Sequence, residues 1–184
     1  MVRLQARRER AYNVTKLVIV GRQVLLVDIF HVAHVVLAGV WLGGLVFTAA
    51  VVSPAFGTMK WSEAERVAVR SAVGKRYARV GTVNLVLLAL FAVLDGVFAG
   101  FGVTFYAEYA LLFLVFAFAG AHGAYFGRRL AELARAEREA GSQEEGSTIA
   151  GRRRSLQRVS LRVSYLNLLA STAVLVLAIG GQPG

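Results

Sequence analysis

Four long apolar runs organise the chain. They cover about 24–52 (VLLVDIFHVAHVVLAGVWLGGLVFTAAVV), 80–100 (VGTVNLVLLALFAVLDGVFAG), 105–127 (FYAEYALLFLVFAFAGAHGAYFG) and 161–180 (LRVSYLNLLASTAVLVLAIG). Each supplies the roughly 20 residues with which a helix rising about 1.5 Å per residue crosses a bilayer core. The pattern predicts an all-α polytopic membrane protein, a bundle of four transmembrane helices forming a single membrane domain over 1–184.

The polar stretches between the runs predict different connections. Residues 1–22 are basic, and too long a basic region precedes too long an apolar run for a signal peptide. In 53–79, Ser62-Glu63-Ala64-Glu65 has the spacing of a capping box, which predicts a short interfacial helix starting near Ser62, with Trp61 as an interfacial anchor. Residues 100–104 form a tight uncharged turn. Residues 128–160 make the longest excursion. Its first part, 128–140, continues the third helix into water with Arg128–Glu132 as an i,i+4 pair. Residues 141–147 (GSQEEGS) have the composition of a flexible linker, and 150–160 is expected to lie on the membrane surface.

Composition narrows the chemistry. The chain is 57% hydrophobic and 17% charged, where a soluble domain has about a quarter of its residues charged. It has no cysteine, which removes disulfides, iron–sulfur clusters and thiol chemistry, and two methionines, too few for a Met-rich copper(I) relay. The basic residues behind the net charge of +10 lie outside the apolar runs, save Arg162 at the edge of the fourth, and no nucleic-acid motif accompanies them. They point instead to a lipid surface, with anionic lipid expected at Arg152, Arg153, Arg154 and Arg158. Six of the 21 Lys and Arg fall in 1–22 and the rest in 53–79 and 128–162. The positive-inside rule then predicts a plasma (inner) membrane protein with cytoplasmic long loops and outside termini.

Ionisable side chains inside apolar runs are costly and are functional candidates by default. Asp28, His31 and His34 stand at i, i+3 and i+6 in the first run, in the half nearer the termini. The second run returns Asp95 to that half, and the third begins there with Glu108. Imidazoles and carboxylates in one layer suit a divalent metal or a proton. The competing reading is that these are wet polar groups at helix ends. The opposite half holds Asn84, His122, Tyr125, Tyr165, Asn167 and Ser171, which suit interhelical hydrogen bonds. A haem held between His34 and His122 meets a depth mismatch of roughly 12 Å. Small-xxx-small steps at Gly39/Gly43, Gly96/Gly100 and Gly123/Gly127 predict close helix packing. No nucleophile–base set or phosphate loop appears, so the sequence names no reaction.

His34 followed by Trp41-Leu42-Gly43-Gly44, and then Val51-Val52-Ser53-Pro54-Ala55-Phe56, resembles the first helix of CopD-like copper-resistance membrane proteins. Lys75-Arg76-Tyr77-Ala78-Arg79-Val80-Gly81 looks like their basic entry into the next span. The resemblance implies a role in copper or other transition-metal homeostasis. On it, His31 and His34 would ligate, and Asp28, Asp95 and Glu108 would neutralise charge or take the released proton. The layout also resembles HemJ-type protoporphyrinogen oxidases, which implies haem b on His34 and His122. The chain departs from that family in having no lysine from 105 to 126; Leu111 stands about where their lysine falls. A third expectation is a cofactor-free accessory subunit that binds a membrane partner or self-associates through Gly39 and Gly43.

Overall fold

The computed structural model describes residues 2–61 and 63–180, and among these there is helix and short turn but no strand. The helices are α1 (Val2–Phe47), α2 (Ser53–Thr58), α3 (Glu63–Ala99), α4 (Val103–Gly120), α5 (Gly127–Glu139) and α6 (Gln143–Gly180). π-helical turns at Thr48–Val52 and Ala121–Phe126 join α1 to α2 and α4 to α5. Four stretches are long and apolar enough to cross a membrane: Lys16–Thr58, Ala72–Ala99, Val103–Glu139 and Gln143–Gly180.

Local chemistry explains the breaks. Pro54 sits in the first turn of α2, where its missing N–H costs nothing. Its ring would crowd the carbonyl four residues back, and the wide π turn lies immediately before it. Between α3 and α4, Gly100 adopts φ +91°, a conformation that favours glycine, and its N–H donates to the Gly96 carbonyl at 3.0 Å.

The polar connections differ from the expectations in four respects. The 141–147 stretch is no linker. Glu145 N–H donates to Ser142 Oγ at 3.2 Å, and the Gly141 N–H donates back to Glu145 Oε2 at 3.1 Å. This reciprocal cap starts α6 after a turn of three residues. The 150–160 segment therefore does not lie flat but continues straight into the fourth span, antiparallel to α5, with Arg153 Nε 2.8 Å from Glu137 Oε2. Arg129, not Arg128, pairs with Glu132, at 2.8 Å. The Ser62 cap lies outside the described residues. From Glu63 onward the segment is continuous with the second span rather than a separate short helix.

In the bundle α1 packs on α3 and α6, and α6 packs on α4 and α5. The core is Ala38, Trp41, Leu85, Leu88, Ala92, Leu112, Val115, Ala170 and Val174. Val32, Val36, Val40, Val83, Val86 and Leu90 are all at least half exposed, as lipid-facing positions are. Gly43 and Gly39 meet nothing within 4 Å, so their step forms no contact inside this bundle. The close approaches are instead at Gly44, against Tyr77, and at Gly96, against Tyr109 and Phe101.

Candidate functional site

Three helices bring four ionisable side chains together. On α1, His31 and His34 are one turn apart and share a face. Helix α3 runs the opposite way and delivers Asp95, and α4 delivers Glu108 in its second turn. Asp95 Oδ2 is the hub, 3.0 Å from His31 Nδ1 and 3.5 Å from His34 Nδ1. On the other side of its ring, His34 Nε2 lies 2.8 Å from Glu108 Oε1. That last contact is at ion-pair distance but off the N–H axis, so neither atom has an aligned hydrogen bond. The result is an alternating chain, His31–Asp95–His34–Glu108.

The chain is buried, not wet. His34 is 0% exposed, Glu108 2%, Asp95 3% and His31 9%. This answers the helix-end alternative for these four residues. Aromatic packing closes the site: Phe30 stacks on Phe98 at 5.0 Å, and Tyr109 Oη donates to the Ala92 carbonyl at 3.0 Å, tying α4 to α3. Gly96 leaves room for the Tyr109 and Phe101 rings that cover this end.

Charge bookkeeping governs what the site can do. With both carboxylates ionised and both rings neutral, its formal charge is about −2, and two protons bring it to zero. Buried net charge is expensive. Those protons have four sites to occupy. His34 can donate to both carboxylates only when both of its nitrogens carry hydrogen.

Two expected members lie elsewhere. Asp28 is exposed, one turn toward the termini from His31, and makes no hydrogen bond or ion pair among the described residues. At i−3 from His31 it sits toward the outer flank of the helix face rather than in the core. His122 lies in the second π turn, fourteen residues beyond Glu108, or about 21 Å along the helix. Its Nδ1 is 3.5 Å from Ser160 Oγ. His34 and His122 therefore do not face one another across a space for a macrocycle, and both His34 nitrogens already face carboxylates. Nor do any three of the candidate ligands converge in a metal-binding arrangement among the described residues. Asp95 shares one oxygen between two rings, and Glu108 approaches from the far side of His34.

The other polar layer is partly bonded. Asn84 Nδ2 donates to the Leu37 carbonyl at 3.2 Å, the interhelical bond expected of it. Trp41 Nε1 donates to Ser171 Oγ at 2.9 Å, an interhelical bond that the expected polar layer did not include. The available signal was that a buried indole N–H needs an acceptor and Ser171 was at hand. Asn167 Oδ1 is buried with no partner.

Fold and site together define a class: a membrane-spanning four-helix protein with a buried histidine–carboxylate centre. The chain belongs to the family described as Domain of unknown function (DUF4149), whose model matches residues 36–139. The match takes in Asp95 and Glu108 and stops short of α6 and of both centre histidines. No curated protein matches the chain, and no solved structure matches it.

Proposed function

We propose that this protein binds and releases protons inside the membrane, and that His31, Asp95, His34 and Glu108 are the binding centre. The observation that carries this is the alternating imidazole–carboxylate chain in a dry core. Imidazole is the side chain whose ordinary titration falls near neutral pH, and each ring here has a carboxylate at bonding distance to give a proton to or take one from. His34 is the central exchanger, Asp95 the bridge, Glu108 the inner terminus and His31 the group nearest the surface. The surplus of basic residues in the loops supports long loops on the cytoplasmic side of a plasma membrane.

The test is histidine-selective nitrogen NMR on the full chain in lipid. The expected result is that His34 carries protons on both nitrogens in part of the range between pH 5 and 8, with a titration that changes when Asp95 or Glu108 is made an amide. A His34 that stays a single neutral tautomer throughout, indifferent to both substitutions, would overturn the proposal.

A second reading has the donor chemistry in its favour. Two imidazoles and two carboxylates are a borderline-to-hard set suited to a divalent transition metal once the protons leave. It is the reading that accords with the CopD-like resemblance, and it requires His34 or Glu108 to rotate so that three donors converge. Elemental analysis after mild purification separates the two: about one copper or zinc per chain, lost in His34→Ala, favours metal homeostasis. A Soret band would favour the haem alternative. Neither, with a titrating His34, leaves the proton centre.

A further inference from the structure

The centre accounts for only one end of the polar groups inside this bundle. Helix α6 carries Ser160, Asn167 and Ser171 at i, i+7 and i+11, so all three share a face. Each is at most 7% exposed, and that face continues with Val174 and Ala178, both 2% exposed. At the loop end the row begins beside His122, which faces Ser160. At the inner end Ser171 accepts from Trp41 and still has its own O–H to give. Between them the Asn167 carbonyl oxygen is buried and unpartnered. An orphan acceptor in an apolar core is costly unless water reaches it. Asn167 therefore offers an open acceptor on the way inward from the loop side.

The other end of the bundle carries an accessible carboxylate. Asp28 is exposed one turn outside His31, and His31 retains 9% exposure. Helices α1 and α6 are antiparallel, and Trp41 meets Ser171, so seven residues back on α1 (His34) and seven onward on α6 (Ala178) reach the same depth. Only about 10 Å separates the Ser171–Trp41 pair from the centre. Chain position and depth put Ala38, Leu88, Leu112 and Val174 in that interval, each at most 4% exposed.

We propose that these are two halves of one gated proton path, with Ala38, Leu88, Leu112 and Val174 as the dry gate. The proposal rests on the proton-binding reading of the centre and goes beyond it to transport. A proton arriving at Asp28 is taken by His31 on one nitrogen while the other nitrogen gives one to Asp95. Asp95 passes a proton to His34, and His34 passes one to Glu108. When the gate admits water, Glu108 releases a proton toward Ser171 and Asn167, and it leaves past His122. One proton enters and one leaves, the centre regains its starting protonation, and the proton gradient is the only drive. A dry constriction of this kind blocks conduction without any charged barrier.

The test is proton flux in vesicles of neutral and anionic phospholipid holding the full chain and a trapped pH dye. Val174→Thr keeps the core shape and adds a hydroxyl between Ser171 and Glu108. It is expected to raise flux about tenfold, the change given by about 1.4 kcal/mol off a barrier. Adding Asn167→Leu or His34→Gln should return flux to the wild-type level or below. Leu112→Thr offers the same hydroxyl from the facing helix and replaces Val174→Thr if that variant fails to assemble. An assembled gate variant with wild-type flux, or a raised flux that ignores Asn167→Leu and His34→Gln, would overturn the gated path. The histidine titration is read on the same samples. A titrating His34 with unchanged flux refutes the path alone, whereas a His34 that never titrates refutes the binding centre as well.

Discussion

Replacing His34 with leucine isolates the energetics of the centre. Glu108 is 2% exposed, and among the described residues its ion-pair partner is the His34 ring at 2.8 Å. In His34→Leu, Asp95 keeps His31 at 3.0 Å, but Glu108 loses the imidazole it faces. Breaking a buried pair on one side costs about 3–5 kcal/mol, because a charge is left uncompensated. Glu108→Leu is milder, since His34 retains Asp95, and should cost about 1–2 kcal/mol, the scale of one polar contact in a membrane bundle. The double variant removes both partners and fills their volume, so its stability should return to within about 1 kcal/mol of wild type or exceed it. Reversible unfolding in mixed micelles, followed by circular dichroism, measures all three. Acidification should relieve the His34→Leu loss, because the orphaned carboxyl is buried at lower cost once it takes a proton. Two results would refute the reasoning. One is a His34→Leu change under about 0.5 kcal/mol, the behaviour of a wet surface group. The other is a double variant less stable than His34→Leu alone.

Five further substitutions test the packing, one interhelical bond and a helix cap. Gly96→Ala drives a methyl into the Tyr109 hydroxyl and the Phe101 ring and should cost about 1–3 kcal/mol, while Gly43→Ala, with nothing within 4 Å, should leave the melting temperature in detergent unchanged. Trp41→Phe and Ser171→Ala each break the 2.9 Å bond, and their double-mutant cycle should give a coupling of about 0.6–1.7 kcal/mol by the same unfolding assay. Ser142→Ala removes the acceptor for the Glu145 N–H and should destabilise the α5–α6 turn by about 1 kcal/mol, seen as faster amide exchange over 143–147.

Depth was legible in the sequence, and direction was not. Counting residues from the middle of each apolar run is enough to put His31, His34, Asp95 and Glu108 in one layer, because helix rise is fixed and antiparallel runs reverse it. The same count puts Asp28 in that layer, yet it is exposed. Which flank of α1 meets α3 depends on how side chains interlock, and a run apolar all round carries little trace of that choice. The glycines show the same limit. Gly43 and Gly44 are equivalent to a spacing rule, but only Gly44 meets a neighbouring helix, at the Tyr77 ring. The 141–147 stretch shows a different limit. Its glycines and serines have the composition of a linker, while Ser142 and Glu145 are three apart and cap a helix. Here the capping-box spacing, not the composition, decides the local structure.

The continuity of α6 changes which basic residues can meet lipid. Its 38 residues extend about 57 Å, nearly twice the roughly 30 Å of a hydrocarbon core. Measured from Gly180, Arg158 stands about 33 Å along the helix, at headgroup depth. Arg154 and Arg152 stand about 39 and 42 Å along it, toward water. Arg153 is already engaged by Glu137 at 2.8 Å. With Gly180 taken at one edge of the hydrocarbon core, Arg158 is the one of the four arginines expected to meet anionic lipid. Arg158→Gln should reduce retention of an anionic phospholipid about fivefold, corresponding to about 1 kcal/mol per basic group near the surface. Arg152→Gln should leave it unchanged. Native mass spectrometry of the detergent-released protein, with equal neutral and anionic lipid supplied, reads both. Equal losses from the two variants would mean that the 150–160 segment lies against the bilayer rather than running on into the fourth span as part of α6.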